Sequence, residues 1–191
     1  MKNLVAAAFI LLMAIGAKAQ TKWNIDNSHT VVKFSVTHLG VSESEGEFKK
    51  FTGAVVSKSE DFQNAQIEFS AEIASVSTGS EDRDKHLKSD DFFNAEKYPT
   101  MSFKSTSFKK VSGNKYVLEG DLTIRDVTKH VKLDVVYNGT AQAWGKTVAG
   151  FKITGVINRF DYNLKWNKLI ETTSVVGSDV TITINLELNK Q

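Results

Sequence analysis

Apolar and polar residues alternate with a period of two along most of the chain from Trp23 onward. In the segment 180–188, every even position is apolar and every odd position is polar. This pattern predicts antiparallel strands with one buried face. Shorter segments repeat it at the apolar positions Val32, Phe34 and Val36; Ile67, Phe69, Ala71 and Ile73; Tyr116, Leu118, Leu122 and Ile124; Val131, Leu133, Val135 and Tyr137; and Phe151, Ile153 and Ile157.

Segments 47–57 and 100–111 complete a set of about eight strands, with turns predicted at 112–114 and at Asn138-Gly139. A closed barrel and a two-sheet sandwich both fit this count. Strands of about ten residues span roughly 30 Å, which suits a barrel that holds an elongated ligand. Small residues in the apolar phases would leave space inside such a barrel and favour it over the sandwich. They are Ala71, Ser105, Gly120 and Gly155.

One segment departs from the alternation. Residues 78–81 match a capping box, and 81–91 has charges spaced for i, i+4 pairs, so a short helix is predicted there. Leu87 is its one strongly apolar interior residue, too little for a core helix. We expect the helix to cap one end of the sheet assembly, with Phe92 and Phe93 as its apolar foot.

The first nineteen residues have the features of a secretory signal. Lys2 precedes the apolar run 4–15, and Ala17-Lys18-Ala19 matches an A-x-A cleavage site. The run is shorter than the roughly 20 residues of a transmembrane helix. We therefore expect cleavage near Ala19, no stable membrane span, a periplasmic or secreted protein, and one domain over 20–191.

Composition excludes several classes of function. The chain has no cysteine, which removes disulfides, thiolate metal sites and cysteine nucleophiles. Loss of residues 1–19 would take two lysines from the 24 basic residues and leave the 22 acidic ones, so the charges balance. Nucleic-acid-binding proteins carry an excess of basic residues, so we do not expect this protein to bind nucleic acid.

Catalytic and metal-binding patterns are weak. The histidines His29, His38, His86 and His130 include no H-x-x-x-H pair, so no metal site is predicted. Ser28, His29 and Asp26 supply the residue types of a hydrolase, but strand neighbours point to opposite faces and should not pair directly. No G-x-S-x-G or phosphate-binding glycine loop occurs. We expect a protein that is not an enzyme and has no cofactor.

Particular residues, in order along the chain, resemble the YceI family. They are Trp23-x-Ile25-Asp26-x-Ser28-His29-Thr30, Phe34-x-Val36-x-His38-Leu39-Gly40, Gly46-x-Phe48, Arg83-Asp84-x-His86-Leu87, Asp91-Phe92-Phe93 with Tyr98-Pro99, Phe103-x-Ser105-Thr106, Gly120-x-Leu122-Thr123-Ile124-Arg125 and Asn158-Arg159-x-Asp161-Tyr162. The resemblance implies an extended, lipocalin-like, eight-stranded antiparallel barrel. It also implies a ligand, a long isoprenoid lipid or isoprenoid quinone held as cargo, and it favours a homodimer.

The sequence departs from the family pattern at Asp126 and Asn163, where glycine is usual. Both residue types tolerate positive φ, so the turns can persist.

The apolar phases give the candidate site. Residues expected to contact an apolar ligand are Val32, Phe34, Val36, His38, Phe69, Ile73, Met101, Phe103, Leu118, Leu122, Phe151 and Ile153. Residues that could contact its headgroup, or simply hold the helix in place, are Arg83, His86, Leu87, Phe92 and Phe93. Sequestration or transport of an isoprenoid is the predicted function. The alternatives are an enzyme acting on a lipid and a filled-core β-protein acting through its surface.

Overall fold

The computed structural model describes residues 20–191. Within this range the chain forms thirteen strands, one α-helix and two short 3-10 helices. The strands are β1 (Thr21–Ile25), β2 (Val31–His38), β3 (Ser42–Phe48), β4 (Phe51–Ser57), β5 (Gln66–Glu72), β6 (Val76–Ser77), β7 (Thr100–Ser112), β8 (Lys115–Ile124), β9 (Val127–Ala143), β10 (Lys146–Asn158), β11 (Leu169–Ile170), β12 (Thr173–Ser174) and β13 (Val176–Lys190). The helix α1 spans Glu81–Lys88, and the 3-10 helices span Ile73–Ser75 and Arg159–Tyr162.

Eight long antiparallel strands close into a barrel, and three of them are made of two consecutive elements. β1 and β2 lie end to end against β13, with Ile25 opposite Leu188 and Val31 opposite Asn185. β3 and β4 continue each other in the same way, as do β5 and β6. The order around the barrel is β1/β2, β3/β4, β5/β6, β7, β8, β9, β10 and β13, and β13 returns to β1/β2. The predicted eight-stranded barrel is confirmed.

The longest hairpin joins β9 to β10 and turns at Trp144 and Gly145, both with positive φ. The turn predicted at Asn138-Gly139 is wrong, because both residues lie inside β9. Gly139 has a φ of +110° and pairs with Gly150, and the register shifts beside this pair, leaving a β-bulge. Glycine at positive φ occurs in some β-bulges as well as in two-residue hairpin turns, so Asn-Gly is compatible with either one.

Aromatic rings inside the barrel lie directly against interior glycines. A Cβ atom on Gly120 would come within 2.5 Å of Cζ of Phe103, and a Cβ on Gly46 would overlap the ring of Phe34. Because these glycines have no Cβ atom, each ring can pack directly against the backbone of the barrel wall. The space along the barrel axis consequently stays open.

Helix α1 is short and has no buried residue. It ends at Lys88, before the predicted Asp91, because the chain turns at Ser89, whose N–H donates to the carbonyl of His86. The predicted capping box is also wrong: Ser80 is the N-cap and its side chain makes no capping hydrogen bond. No helix within residues 20–191 is long and apolar enough to cross a membrane.

The two departures from the family pattern have different outcomes. Asn163 has a φ of +61°, as expected for a residue in a glycine position. Asp126 does not have positive φ; the preceding Arg125 does, at +55°. Hydrogen bonds from the Arg125 side chain to the carbonyls of Asp90, Phe92 and Asn163 stabilise this backbone conformation.

Candidate functional site

A cavity of about 350 Å³ lies inside the barrel, toward the end that α1 covers. All eight long strands contribute to its wall, and most of its lining side chains are apolar. Its volume falls within the range of small-molecule binding pockets. The barrel is therefore hollow, which its apolar phases alone did not establish.

The inward face of β13 shows where the hollow begins and ends. The even positions point inward, as predicted, and Val180, Ile182, Ile184 and Leu186 line the cavity while each keeps part of its surface accessible. Leu188, one step further, is 1% exposed and lies outside the cavity. Four consecutive inward side chains thus face the large cavity, and the fifth, Leu188, lines only a separate small cavity of about 30 Å³.

Most of the residues predicted to contact an apolar ligand line this cavity. These ten are Val32, Phe34, Val36, His38, Phe69, Met101, Phe103, Leu118, Leu122 and Ile153. Ile73 does not line it, because it lies in the 3-10 helix that interrupts the alternation after β5. Phe151 lies at a second, smaller cavity further from α1. The five residues predicted at the helix end, Arg83, His86, Leu87, Phe92 and Phe93, all line the large cavity.

A buried arginine borders the cavity. Arg159 is 2% exposed, and its guanidinium donates to four carbonyls: Gly177 (2.7 Å), Leu164 (2.6 Å), Trp166 (2.8 Å) and Val176 (3.1 Å). No carboxylate of residues 20–191 forms a salt bridge with it. Burial lowers its pKa, yet an arginine keeps its charge at any physiological pH. Its guanidinium carbon also lies 4.1 Å from the ring centroid of Phe160. A positive charge balanced by carbonyl dipoles and an aromatic ring, without a carboxylate, favours an electron-rich oxygen nearby.

A second arginine at the cavity fixes the helix. Arg83 Nε donates to Thr78 Oγ1 (2.8 Å) and Arg83 Nη2 donates to the Thr78 carbonyl (2.7 Å). Asp84 Oδ1 accepts from both the hydroxyl and the N–H of Thr78. The pair therefore anchors α1 to the end of β6. Contact between Arg83 and a ligand headgroup stays a prediction.

Aromatic rings join α1 to the segment before β11. The ring of His86 meets Phe92 (5.0 Å) and Trp166 (5.3 Å) edge-on, and its Nε2 lies 2.8 Å from Asp91 Oδ2. Arg125 reinforces this junction by donating to the carbonyl of Phe92 (2.8 Å). These contacts hold a cluster of aromatic side chains at the helix end of the cavity.

A polar cluster lies away from the cavity. Residues 26–30 form a turn rather than a strand, so Ser28 Oγ lies 3.1 Å from His29 Nδ1, and the expectation that they would not pair is wrong. Ser28 Oγ donates to Asp26 Oδ1 (2.5 Å), and Asp26 Oδ2 lies 3.2 Å from the same His29 nitrogen. A catalytic triad uses opposite ring nitrogens for serine and carboxylate, and this cluster does not.

The same cluster offers metal-ligand atoms. Asp26, His29 and Glu187 place three of them within 4.8 Å of one another. The side chain of His29 is 59% exposed, and Asp26 is already hydrogen-bonded by Ser28 and Asn189. These hydrogen bonds lower the pKa of Asp26, and Asp26 raises that of His29. The arrangement is a hydrogen-bonded turn, and the absence of a metal stays a prediction.

Several lining residues were missing from the predicted site. Val180, Ile182, Ile184 and Leu186 carried the clearest alternation in the chain and could have been included on that signal. Arg159, Leu164 and Trp166 had no such signal, because they lie in or beside irregular segments where periodicity does not apply.

Sequence comparison places this architecture in a known family. The profile of the YceI-like domain matches residues 23–188. The chain belongs to the YceI-like family. A UPF0312 protein of Photorhabdus laumondii is 39% identical over 164 residues, covering 85% of each chain. A UPF0312 protein of Staphylococcus aureus is 35% identical over 172 residues, which cover 88% of this chain and 98% of that protein.

Solved structures share the barrel of this YceI-like protein. The Campylobacter jejuni YCEI protein is 33% identical, with a TM-score of 0.70, and the match covers 81% of this chain and 90% of that one. BcnA of Burkholderia cenocepacia is 25% identical, with a TM-score of 0.74 over 85% of this chain and 98% of that one. A polyisoprenoid-binding domain from Saccharophagus degradans shares the fold, with a TM-score of 0.60 and 12% identity over 88% of this chain and 98% of that one.

Proposed function

We propose that this YceI-like protein binds a long apolar molecule, an isoprenoid lipid or isoprenoid quinone, inside its barrel and sequesters or transports it. The observation that carries the proposal is the apolar cavity of about 350 Å³ enclosed by all eight long strands. Burial of each 100 Å² of apolar ligand surface gains about 2.5 kcal/mol before the costs of association. A polar ligand would gain no comparable free energy from contact with these apolar walls.

Polar residues at the α1 end of the cavity support a ligand whose polar end lies there. His38, Thr78, Arg83, His86 and Arg159 line the cavity, and α1 itself carries Arg83 and His86. Other polar residues that line it are Thr30, Lys33, Thr37, Ser44, Glu45 and Glu68. Arg159 has no anionic partner within residues 20–191, so a quinone carbonyl or a phosphate oxygen would add a favourable interaction there. The ligand would enter apolar tail first and leave its headgroup beside the helix.

The ligand is proposed as cargo and not as a cofactor. The Ser28–His29 contact lies outside the cavity lining, and catalysis on a bound lipid would require reacting groups that face the ligand. We accordingly propose a binding protein without catalytic activity. The Saccharophagus degradans domain of the same fold is described as binding polyisoprenoid, a ligand class that fits these walls.

Export and assembly complete the proposal. The predicted signal, residues 1–19, lies outside the described residues, and it is the reason we expect a periplasmic or secreted protein. Intact mass of the protein recovered from its native compartment would show whether cleavage occurs near Ala19. Light scattering of that material would test the expected homodimer.

Native mass spectrometry of the purified protein, with extraction and fragmentation of any bound molecule, is the direct test of function. A stoichiometric isoprenoid or quinone is the expected result. An empty protein that also takes up no added quinone or polyprenyl phosphate would overturn the proposal.

Two tryptophan variants separate binding inside the barrel from adsorption outside it. Ile182→Trp would fill the cavity, because Ile182 faces it. Val156→Trp places the same ring on the outer surface, where Val156 is 60% exposed. We expect the first variant to lose ligand uptake and the second to keep it. Equal uptake by both folded variants would show that the ligand does not occupy the cavity.

A further inference from the structure

The end of the barrel opposite α1 is closed by the segment 58–65, between β4 and β5. This segment crosses from one wall to another: the N–H of Asn64 donates to the carbonyl of Phe108, and Tyr116 Oη donates to the carbonyl of Asp61 (2.7 Å). Its central side chain, Phe62, is 1% exposed. The crossing gives the barrel a floor.

Aromatic contacts hold Phe62 in place. Its ring centroid lies 5.0 Å from that of Trp23 on β1, 5.6 Å from that of Tyr137 on β9 and 5.0 Å from that of Phe151 on β10. The backbone of Phe62 has a φ of +61°, a conformation that costs energy for a bulky residue. The chain accepts this strain where the ring inserts between three strands.

A second cavity of about 30 Å³ lies against this floor, and Phe62, Phe108 and Phe151 are among its lining residues. Five side chains line both this cavity and the large one: Val55, Ile67, Leu118, Ile153 and Leu186. The ten residues that line the small cavity are all apolar. The two spaces are thus consecutive levels of one apolar channel.

We propose that Phe62, with Phe151 beside it, is the stop that sets the longest apolar chain this barrel accepts. The inference rests on the proposed function and adds its specificity determinant. Phe151 precedes Ile153 by two residues on β10 and lies about 6–7 Å closer to the floor, at the usual rise of a strand. Phe62 lines only the small cavity, so removal of its ring would deepen that cavity and let a chain that passes the five shared side chains descend further.

A graded set of linear prenyl alcohols, from farnesol to decaprenol, tests the stop. Retention of each alcohol by the full folded chain is measured by native mass spectrometry, and the longest retained member is recorded for each variant. Phe62→Ala and the milder Phe62→Leu lower the floor. Leu186→Phe raises it, because Leu186 lines both cavities. Phe51→Leu is the matched control: Phe51 is 6% exposed and lines neither cavity.

The expected results are directional. Consider the shortest alcohol that exceeds the wild-type length limit. Phe62→Ala should retain at least about tenfold more of it than the wild type does, because its extra carbons become buried. Leu186→Phe should lose the longest alcohol that the wild type retains, which keeps the test valid where the position-62 variants fold poorly. Phe51→Leu should keep the wild-type limit.

Two negative outcomes have different meanings. If the wild type, the position-62 variants and Leu186→Phe all retain alcohols up to the same length, Phe62 is not the stop. That outcome would leave the proposed function intact. Retention of no alcohol by the wild type, together with an empty native protein, would overturn the proposed function and the stop with it.

Discussion

The ring of Phe103 lies against Gly120, so closely that a Cβ atom on Gly120 would meet Cζ of Phe103 at 2.5 Å. The same Cβ would lie 2.5 Å from the carbonyl oxygen of Lys104 on the paired strand. A side chain can rotate away from such a contact, but the backbone of a barrel strand cannot do so without distorting its pairing.

The substitution Gly120→Ala should therefore destabilise the fold. We expect the free energy of unfolding in urea to fall by about 1–3 kcal/mol, the usual cost of overpacking. Gly150→Ala is the control, because the nearest atom to its Cβ would be 3.6 Å away, an ordinary contact. A loss of equal size in the two variants would argue against the close approach at Gly120.

Removal of the buried guanidinium should loosen the chain before β13. Arg159→Met leaves four carbonyls without their donor, and hydrogen bonds to charged groups are each worth about 1.5–3 kcal/mol. We expect a loss of about 3 kcal/mol or more in unfolding free energy, and faster hydrogen exchange at the N–H of Val175. Arg83→Met removes an exposed arginine whose two hydrogen bonds, both to Thr78, compete with water, so it should cost less than Arg159→Met. Unchanged exchange at Val175 would contradict this role for Arg159.

Acid should weaken the turn at Asp26. Hydrogen bonds, that from Ser28 first, hold the pKa of Asp26 below its ordinary value, so its stabilisation is present above about pH 4 and is lost as the pH falls further. Asp26→Asn should be less stable than the wild type at neutral pH, and the two unfolding free energies should converge in acid. Asp26 also raises the pKa of His29, so the variant should show a lower His29 pKa by NMR. A constant difference in stability across the acid range would contradict the prediction.

Alkali should weaken the packing around Tyr162. This side chain is 1% exposed, and its hydroxyl has no hydrogen-bond partner among residues 20–191. Burial raises the pKa of Tyr162 from 10.0 to about 12. Because the unfolded chain ionises first, folded stability falls as the pH rises between these values, by about 1.4 kcal/mol per pH unit.

The variant Tyr162→Phe should lack that alkaline loss and should be as stable as the wild type, or slightly more so, at neutral pH. Urea unfolding at neutral and alkaline pH measures both effects. Tyr98→Phe controls for the loss of a tyrosine hydroxyl at a half-buried position. Parallel alkaline losses in the wild type and Tyr162→Phe would count against burial as the cause.

Strand identity and the inward face could be predicted from the sequence because both depend on local alternation. The segment 180–188 shows this most clearly: its even positions face inward, as the pattern requires. The position of a side chain along the barrel axis could not be predicted from this alternation. Ile153 and Phe151 share a phase, yet Ile153 lines both cavities and Phe151 only the small one, because strand pairing and the floor at Phe62 decide the level.

Irregular backbone accounts for the other differences. Ile73 continues the apolar phase of β5 but lies in a 3-10 helix, where a period of two no longer assigns a face. Ser28 and His29 pair because residues 26–30 turn instead of extending. Arg159 reaches the cavity from a 3-10 helix and finds its partners in carbonyls, which carry no side-chain signal in the sequence.

The pairing of the last strand with the first ones also has a kinetic consequence. Trp23 lies opposite Lys190, and β13 bonds β10 on one side and β1/β2 on the other. Contacts between strands so far apart in sequence form slowly, because a long loop must close, at an entropic cost, before the pairing stabilises the chain. The barrel therefore cannot close until β13 has been synthesised, and a chain truncated before β13 would expose two unpaired strand edges, each able to pair with a neighbouring molecule and start aggregation.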